Sequence, residues 1–121
     1  MNNQRIIIEM GMGNDQYGMD YTKAAGRAIE DAIRHSSLAI FRNTGLKADD
    51  MQITVSVGVQ EPDKVDPAVL RAKLPYGAPE IRVVKGGLNV TDPAGDATIV
   101  IASAAVEVFL PSEVGNWVQT G

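Results

Sequence analysis

The chain of 121 residues contains no cysteine, which excludes disulfides, thiolate metal sites and a cysteine nucleophile and agrees with a reducing compartment. Aromatic residues make up only 5%, too few for a platform on which bases could stack. There is no surplus of positive charge. The formal net charge is −4 and the basic residues are scattered, whereas binding to phosphate backbones needs a clustered positive field. Nucleic acid is therefore not an expected partner. No apolar run reaches the ~18 residues that a membrane-spanning helix needs. The stretch from Met1 to Arg5 also lacks the apolar core of a signal peptide. A cytoplasmic location without membrane attachment is expected.

What is present is a soluble globular composition, with 45% hydrophobic and 21% charged residues. The length predicts one compact domain, residues 1–110, followed by a loosely held tail, residues 111–121. Arg5 to Met10 reads as a first strand, with Ile6, Ile8 and Met10 on one face and Arg5, Ile7 and Glu9 on the other. A glycine-rich loop, Gly11 to Gly18, is expected next, then a helix from Tyr21 to about Ser36 capped by Asp20. Its apolar stripe is Ala24, Ala25, Ala28, Ile29, Ala32 and Ile33. Met51 to Val59 alternates as a half-buried strand. Asp66-Pro67 opens a short helix that must end before Pro75.

A third strand, Glu80 to Val84, is interrupted at Gly86-Gly87 and resumed at Leu88 to Val90, and a long last strand runs from Ala97 to Leu110. The expected fold class is α/β (α+β), in the order β-α-β-α-β-β: a four-stranded mixed sheet with two helices on one face. Parallel pairing is expected across the first helical crossover, with a closing hairpin at the end. The last strand is apolar on both faces, and two helices cover one face only, so self-association is the economical way to cover the other. The order is similar to chorismate-mutase-like and YjgF-like folds, and that similarity implies a trimer, or a multiple of one, with sites between subunits.

The glycine loop is the first candidate site. Gly11, Gly13 and Gly18 do not fit a dinucleotide-binding fingerprint, because Gln16 stands where its third glycine would fall. Asp15 within the loop and Glu9 before it disfavour a phosphate, so a hydroxyl, amide or amine ligand suits the loop better. The plain alternative is a tight turn joining strand to helix. Glu9, Asp15 and Asp20 are potential oxygen ligands for a hard cation such as Mg²⁺, but Asp20 reads first as a helix cap, and no metal site and no cofactor is assigned.

Glu9 and Glu107 would form an acid/base pair if their strands brought them together; otherwise they are two solvated acids. Lys23 and Arg27 lie one turn apart on a helix face, within reach of a carbonyl or anion, or simply solvated. His35 complements the dipole at a helix end. Ser56 and Ser103 have no histidine placed beside them to activate a nucleophile. Tyr76-Gly77 reads as a turn or a pocket rim.

Several of these residues carry a resemblance. Gly11-x-Gly13-x-Asp15-x-Tyr17-Gly18, Thr22-Lys23-Ala24-Ala25, Asp31-Ala32-Ile33-Arg34-His35, Pro75-Tyr76-Gly77, Gly86-Gly87-Leu88 and Ala104-Ala105-Val106-Glu107-Val108 resemble a small family of conserved hypothetical proteins. That family was first named from a Listeria sequence and is marked by GxGxDxHG; its function is unassigned. Tyr17 stands here where the motif has histidine. Tyrosine, with a pKa near 10, replaces a histidine ligand or proton carrier poorly.

A fainter similarity links Asp20-Tyr21-Thr22-Lys23-Ala24 to the ring-opening amidohydrolases of cyanuric acid and barbiturate. Gly11 stands where their motif lysine would fall, so the similarity implies kinship of fold and of ligand type.

Two functional expectations result. One is an oligomeric enzyme for a compact amide- or carbonyl-containing metabolite, a hydrolase of cyclic amides on the fainter similarity. Asp15, Glu9, Lys23 and Glu107 would be its catalytic residues, and Gly11, Gly13, Tyr17, Gly18, Arg27 and Ser56 would line the ligand. The other is a non-catalytic small-ligand-binding or accessory subunit.

Overall fold

The computed structural model describes residues 3–34, 52–74, 79–95 and 97–111. The expected end of the first helix near Ser36, His35 and Tyr76-Gly77 therefore fall outside the described residues, as do residues 112–121. The elements are β1 (Asn3–Asp15), α1 (Tyr21–Arg34), β2 (Gln52–Val59), a single 3-10 turn (Pro62–Lys64), α2 (Pro67–Arg71), β3 (Glu80–Lys85), β4 (Leu88–Thr91) and β5 (Thr98–Pro111).

They form an α+β fold with a five-stranded mixed sheet, in the order β1-β5-β2-β3, with β4 also paired to β5. The β2 and β3 strands are parallel; β5 is antiparallel to β1, β2 and β4. Five strands replace the four expected. At Gly86-Gly87 the chain leaves β3, with Gly87 at a φ of +63°, and β4 then pairs with β5 beyond the end of β2.

The first and second strands are not paired with one another, contrary to the sequence expectation. They run in the same direction, but β5 lies between them and pairs antiparallel with both. A strand apolar on both faces fits such a central place, where both backbone edges are paired and one face meets the helices. The expected closing hairpin is present as β4–β5.

The first strand also runs five residues further than expected, to Asp15. Gly11 and Gly13 are strand residues facing α1. A Cβ at Gly11 would collide with the backbone of Ala28 and Ala32, and one at Gly13 with the backbone of Ala24 and Ala28. Glycine on the strand and alanine on the helix let the two elements approach to backbone contact. The expected loop shortens to the residues after Asp15, where Gly18 has a φ of +92° and Met19 one of +50°.

One core holds this together. Tyr21, Ala24, Ala25, Ala28, Ile29 and Ala32 of α1 pack on Ile53, Val55, Val57 and Val59 of β2, on Val100, Ala102, Ala104, Val106 and Val108 of β5, and on Leu70 of α2. Asp66 caps α2 as its sequence predicts, accepting the Ala68 N–H at 3.0 Å.

Candidate functional site

The sequence candidates separate onto two sides of the sheet. On the helix side, β1 ends in Asp15, whose side chain points at the start of α1 and is only 3% exposed. Its Oδ2 accepts the Asp20 N–H at 2.9 Å. Its Oδ1 lies 3.8 Å from Lys23 Nζ and 3.9 Å from Arg27 Nη1. Asp20 in turn caps α1, accepting the Lys23 N–H at 3.0 Å. A carboxylate at a helix N-terminus, with two cations beside it, is electrostatically well placed. The arrangement closes the β1–α1 turn and gives Asp15, Lys23 and Gly18 a structural task.

Arg27 has a second task. Among the described residues β1 has a strand neighbour only on its β5 side, so its other edge offers unpaired backbone groups. Arg27 Nη1 donates to the Asn14 carbonyl at 2.7 Å, and Asp31 accepts the Met12 N–H at 3.0 Å. Two side chains of α1 thus reach over the sheet edge and satisfy it.

Glu9 and Glu107 do not form a pair. In the β1–β5 register Glu9 sits opposite Val106, on the helix face, whereas Glu107 sits opposite Ile8, on the other face. Glu107 Oε2 instead meets Arg5 Nη1 at 3.2 Å. The cation reading also finds no cluster: Asp15 and Asp20 hold backbone amides, and no group of three His, Cys, Asp or Glu gathers among the described residues. Tyr17 is 80% exposed, at the rim of shallow hollows it shares with Gln16 and the β4–β5 turn.

The face turned away from the helices is more suggestive. Its residues can be read in rows across the sheet from the strand registers. One row is Ile8, Glu107, Thr54 and Glu80; the next is Met10, Ala105, Ser56 and Arg82; the third is Met12, Ser103, Gly58 and Val84. Beyond them stand Ile101 with Leu88, and Ile99 with Val90.

The two central strands thus carry small residues where the flanking strands carry long ones. An open trough of about 750 Å³ follows, bordered by Met10 and Met12 on one side and Val84 and Gly86 on the other, with Ser56, Gly58, Ser103 and Ala105 along its floor. Gly58 is needed there: a Cβ would come within 3.0 Å of Ser103 Oγ and 3.2 Å of Gly86 Cα. Neither serine hydroxyl is engaged by another described residue.

Sequence reasoning named Ser56 as a ligand-lining candidate beside the glycine loop, not on this face, and did not single out Met12, Gly58 or Val84. The signal was the alternation Met10-Gly11-Met12-Gly13, which pairs inward glycine with outward methionine on one strand. Also missed was a polar tie on the helix side. The Tyr21 hydroxyl donates to Glu61 Oε2 at 2.8 Å and accepts from Asn89 Nδ2 at 2.7 Å. The Tyr21 hydrogen bond, aided by Lys64 and opposed by partial burial, lowers the Glu61 pKa from its ordinary 4.5.

Fold and site together define a small α+β protein with one face of its sheet sealed by helices and the other, among the described residues, open and troughed. The chain belongs to the conserved hypothetical protein family Lin0512_fam, whose profile matches residues 5–108. It is also similar to a crystal structure described as an FtsZ-like protein of unknown function from Nostoc punctiforme PCC 73102. The two share 39% identity and a TM-score of 0.78, over 91% of this chain and 98% of that one. No curated protein matches the sequence. No described helix is long and apolar enough to cross a membrane.

Proposed function

We propose that this protein is a self-associating small-ligand-binding protein whose ligand lies in the trough of the open sheet face, between subunits. The observation that carries the reading is the trough itself: about 750 Å³, within the about 300–1,000 Å³ of small-molecule sites, with two hydroxyls on its floor that no other described residue engages. Ser56 and Ser103 can each donate to a carbonyl or accept from an amide N–H, while Met10, Met12 and Val84 offer contact to an apolar body. A compact amide- or carbonyl-containing molecule matches that lining.

Binding without turnover is the form of the proposal that the geometry favours. The carboxylates that acid–base work would require are held in the turn at Asp15, on the helix face at Glu9, against Arg5 at Glu107 and, at the margin of the trough, on the Met12 N–H at Asp31.

The test is thermal stabilisation of the purified protein against a set of small amides, lactams and oxo acids, since a ligand that binds the native state raises its apparent stability. A stabilising compound whose effect is lost in Ser56→Ala/Ser103→Ala, with the unliganded Tm unchanged, supports the reading. A hit unaffected by these changes, or no hit in the set, overturns it.

A further inference from the structure

The open face carries a ridge as well as a trough. Met10 and Met12 project from β1 at 72% and 64% exposure, beside a floor of Ala105, Ser103, Ser56 and Gly58. A surface with a ridge of unbranched, adaptable side chains next to a depression floored by small ones is complementary to a copy of itself. We infer that the trough is roofed by a second copy of this chain, whose Met10–Met12 ridge lies over its rim and leaves the serine floor free for a ligand. This rests on the proposed interface site for its purpose, and on surface shape and charge for its geometry.

Charge points to the same occupant. The charged residues at this face are Arg5 with Glu107, at 3.2 Å, Arg82 with Glu80, at 3.2 Å, and, at the margin of the trough, Asp31 and Lys85, again one of each sign. The face is thereby neutral, although the chain carries a net −4. An acidic protein repels its own copies least at such a face, and a highly charged partner gains nothing there.

Size agrees as well. The 45 residues of the five strands, each covering about 3.3 Å by 4.8 Å of sheet, give about 710 Å² in plan, close to the about 800 Å² that each partner contributes to a standard interface. Ile8, Met10, Met12, Val84, Leu88 and Val90, each at least 45% exposed, make a contiguous apolar surface of the kind that marks association sites.

A chain without cysteine allows a direct test. Met12→Cys and Ser103→Cys are prepared separately, mixed without added ligand and treated with a short bis-maleimide cross-linker. Met12 and Ser103 face each other within one chain, so keeping the cysteines on different chains ensures that any bridge is intermolecular. Facing sheets lie about 10 Å apart, too far for a direct disulfide and within the span of the short linker.

The expected result is a covalent heterodimer in the mixture and little covalent product from either variant alone or from a control mixture of Met12→Cys with Asp63→Cys. A Met10→Glu/Met12→Glu variant, changed only at exposed positions, should keep its circular dichroism and fall to monomer mass. No heterodimer in the mixture, a Met12–Met12 position bridge instead, or an unmodified protein of monomer mass at tens of micromolar, overturns the inference. Since no ligand enters, a failed ligand screen with successful cross-linking would remove the binding reading and leave the interface standing. A ligand hit without cross-linking would keep ligand binding in the trough and remove the interface, and with it the placing of the ligand between subunits.

Discussion

The Asp15 carboxylate accepts the backbone N–H of Asp20 at 2.9 Å, fastening the last residue of β1 to the cap of α1. This one bond fixes where the strand stops and the helix starts, because Lys23 and Arg27 on the first turns of α1 lie within 4 Å of the other carboxylate oxygen. Asp15→Ala removes a buried acceptor from a charge-assisted hydrogen bond and should cost about 1.5–3 kcal/mol. Chemical denaturation would show a lower midpoint with an unchanged slope. Asp15→Asn, which keeps an acceptor, should lose less. An Asp15→Ala protein of full stability would contradict the structural role.

Gly13 faces the backbone of Ala24 and Ala28 with no space for a methyl group. Gly13→Ala should force β1 and α1 apart and cost about 1–3 kcal/mol, as overpacking does. Differential scanning calorimetry should record a fall in Tm of several degrees. By contrast Gly95, around which nothing lies within 4 Å, is limited only by its φ of +79°. Gly95→Asn should then be nearly silent, since asparagine tolerates that region.

Glu61 gives the fold one weak pH dependence with a defined sign. Its pKa is lowered in the folded state, first by the Tyr21 hydroxyl and then by Lys64. The associated stability is present above the ordinary value of 4.5 and is lost as pH falls through the lowered folded value. Wild type should thus exceed Glu61→Gln in Tm at pH 7, and the two should converge as the pH falls through the lowered folded value. The side chain is exposed, so the gap should be small. A gap that widened in acid would reverse the assignment.

How far the sequence led can be judged from particular residues. The capping roles of Asp20 and Asp66, the buried stripe of α1 and the alternation of β2 were legible, because caps and periodicity are local properties of a chain. The continuation of β1 through Gly11 and Gly13 was not, since a glycine pair reads as a loop unless the helix it receives is known. Glu9 and Glu107 looked like a pair because each lies on a strand that pairs with the other, but a shift of one residue in register moves a side chain to the opposite face.

The amino-acid sequence by itself determined the element types, their order, the apolar stripe that seals one face and the family to which the chain belongs. Only the tertiary structure decided that β5 lies between β1 and β2, that Asp15 fastens a turn, and that Met10, Met12, Ser56, Gly58 and Ser103 share an open trough. The division has a physical cause. Helix stripes and caps depend on residues a few positions apart. A trough depends on which small residue of one strand falls beside which large residue of another, and that is set by pairings between residues nearly a full chain length apart.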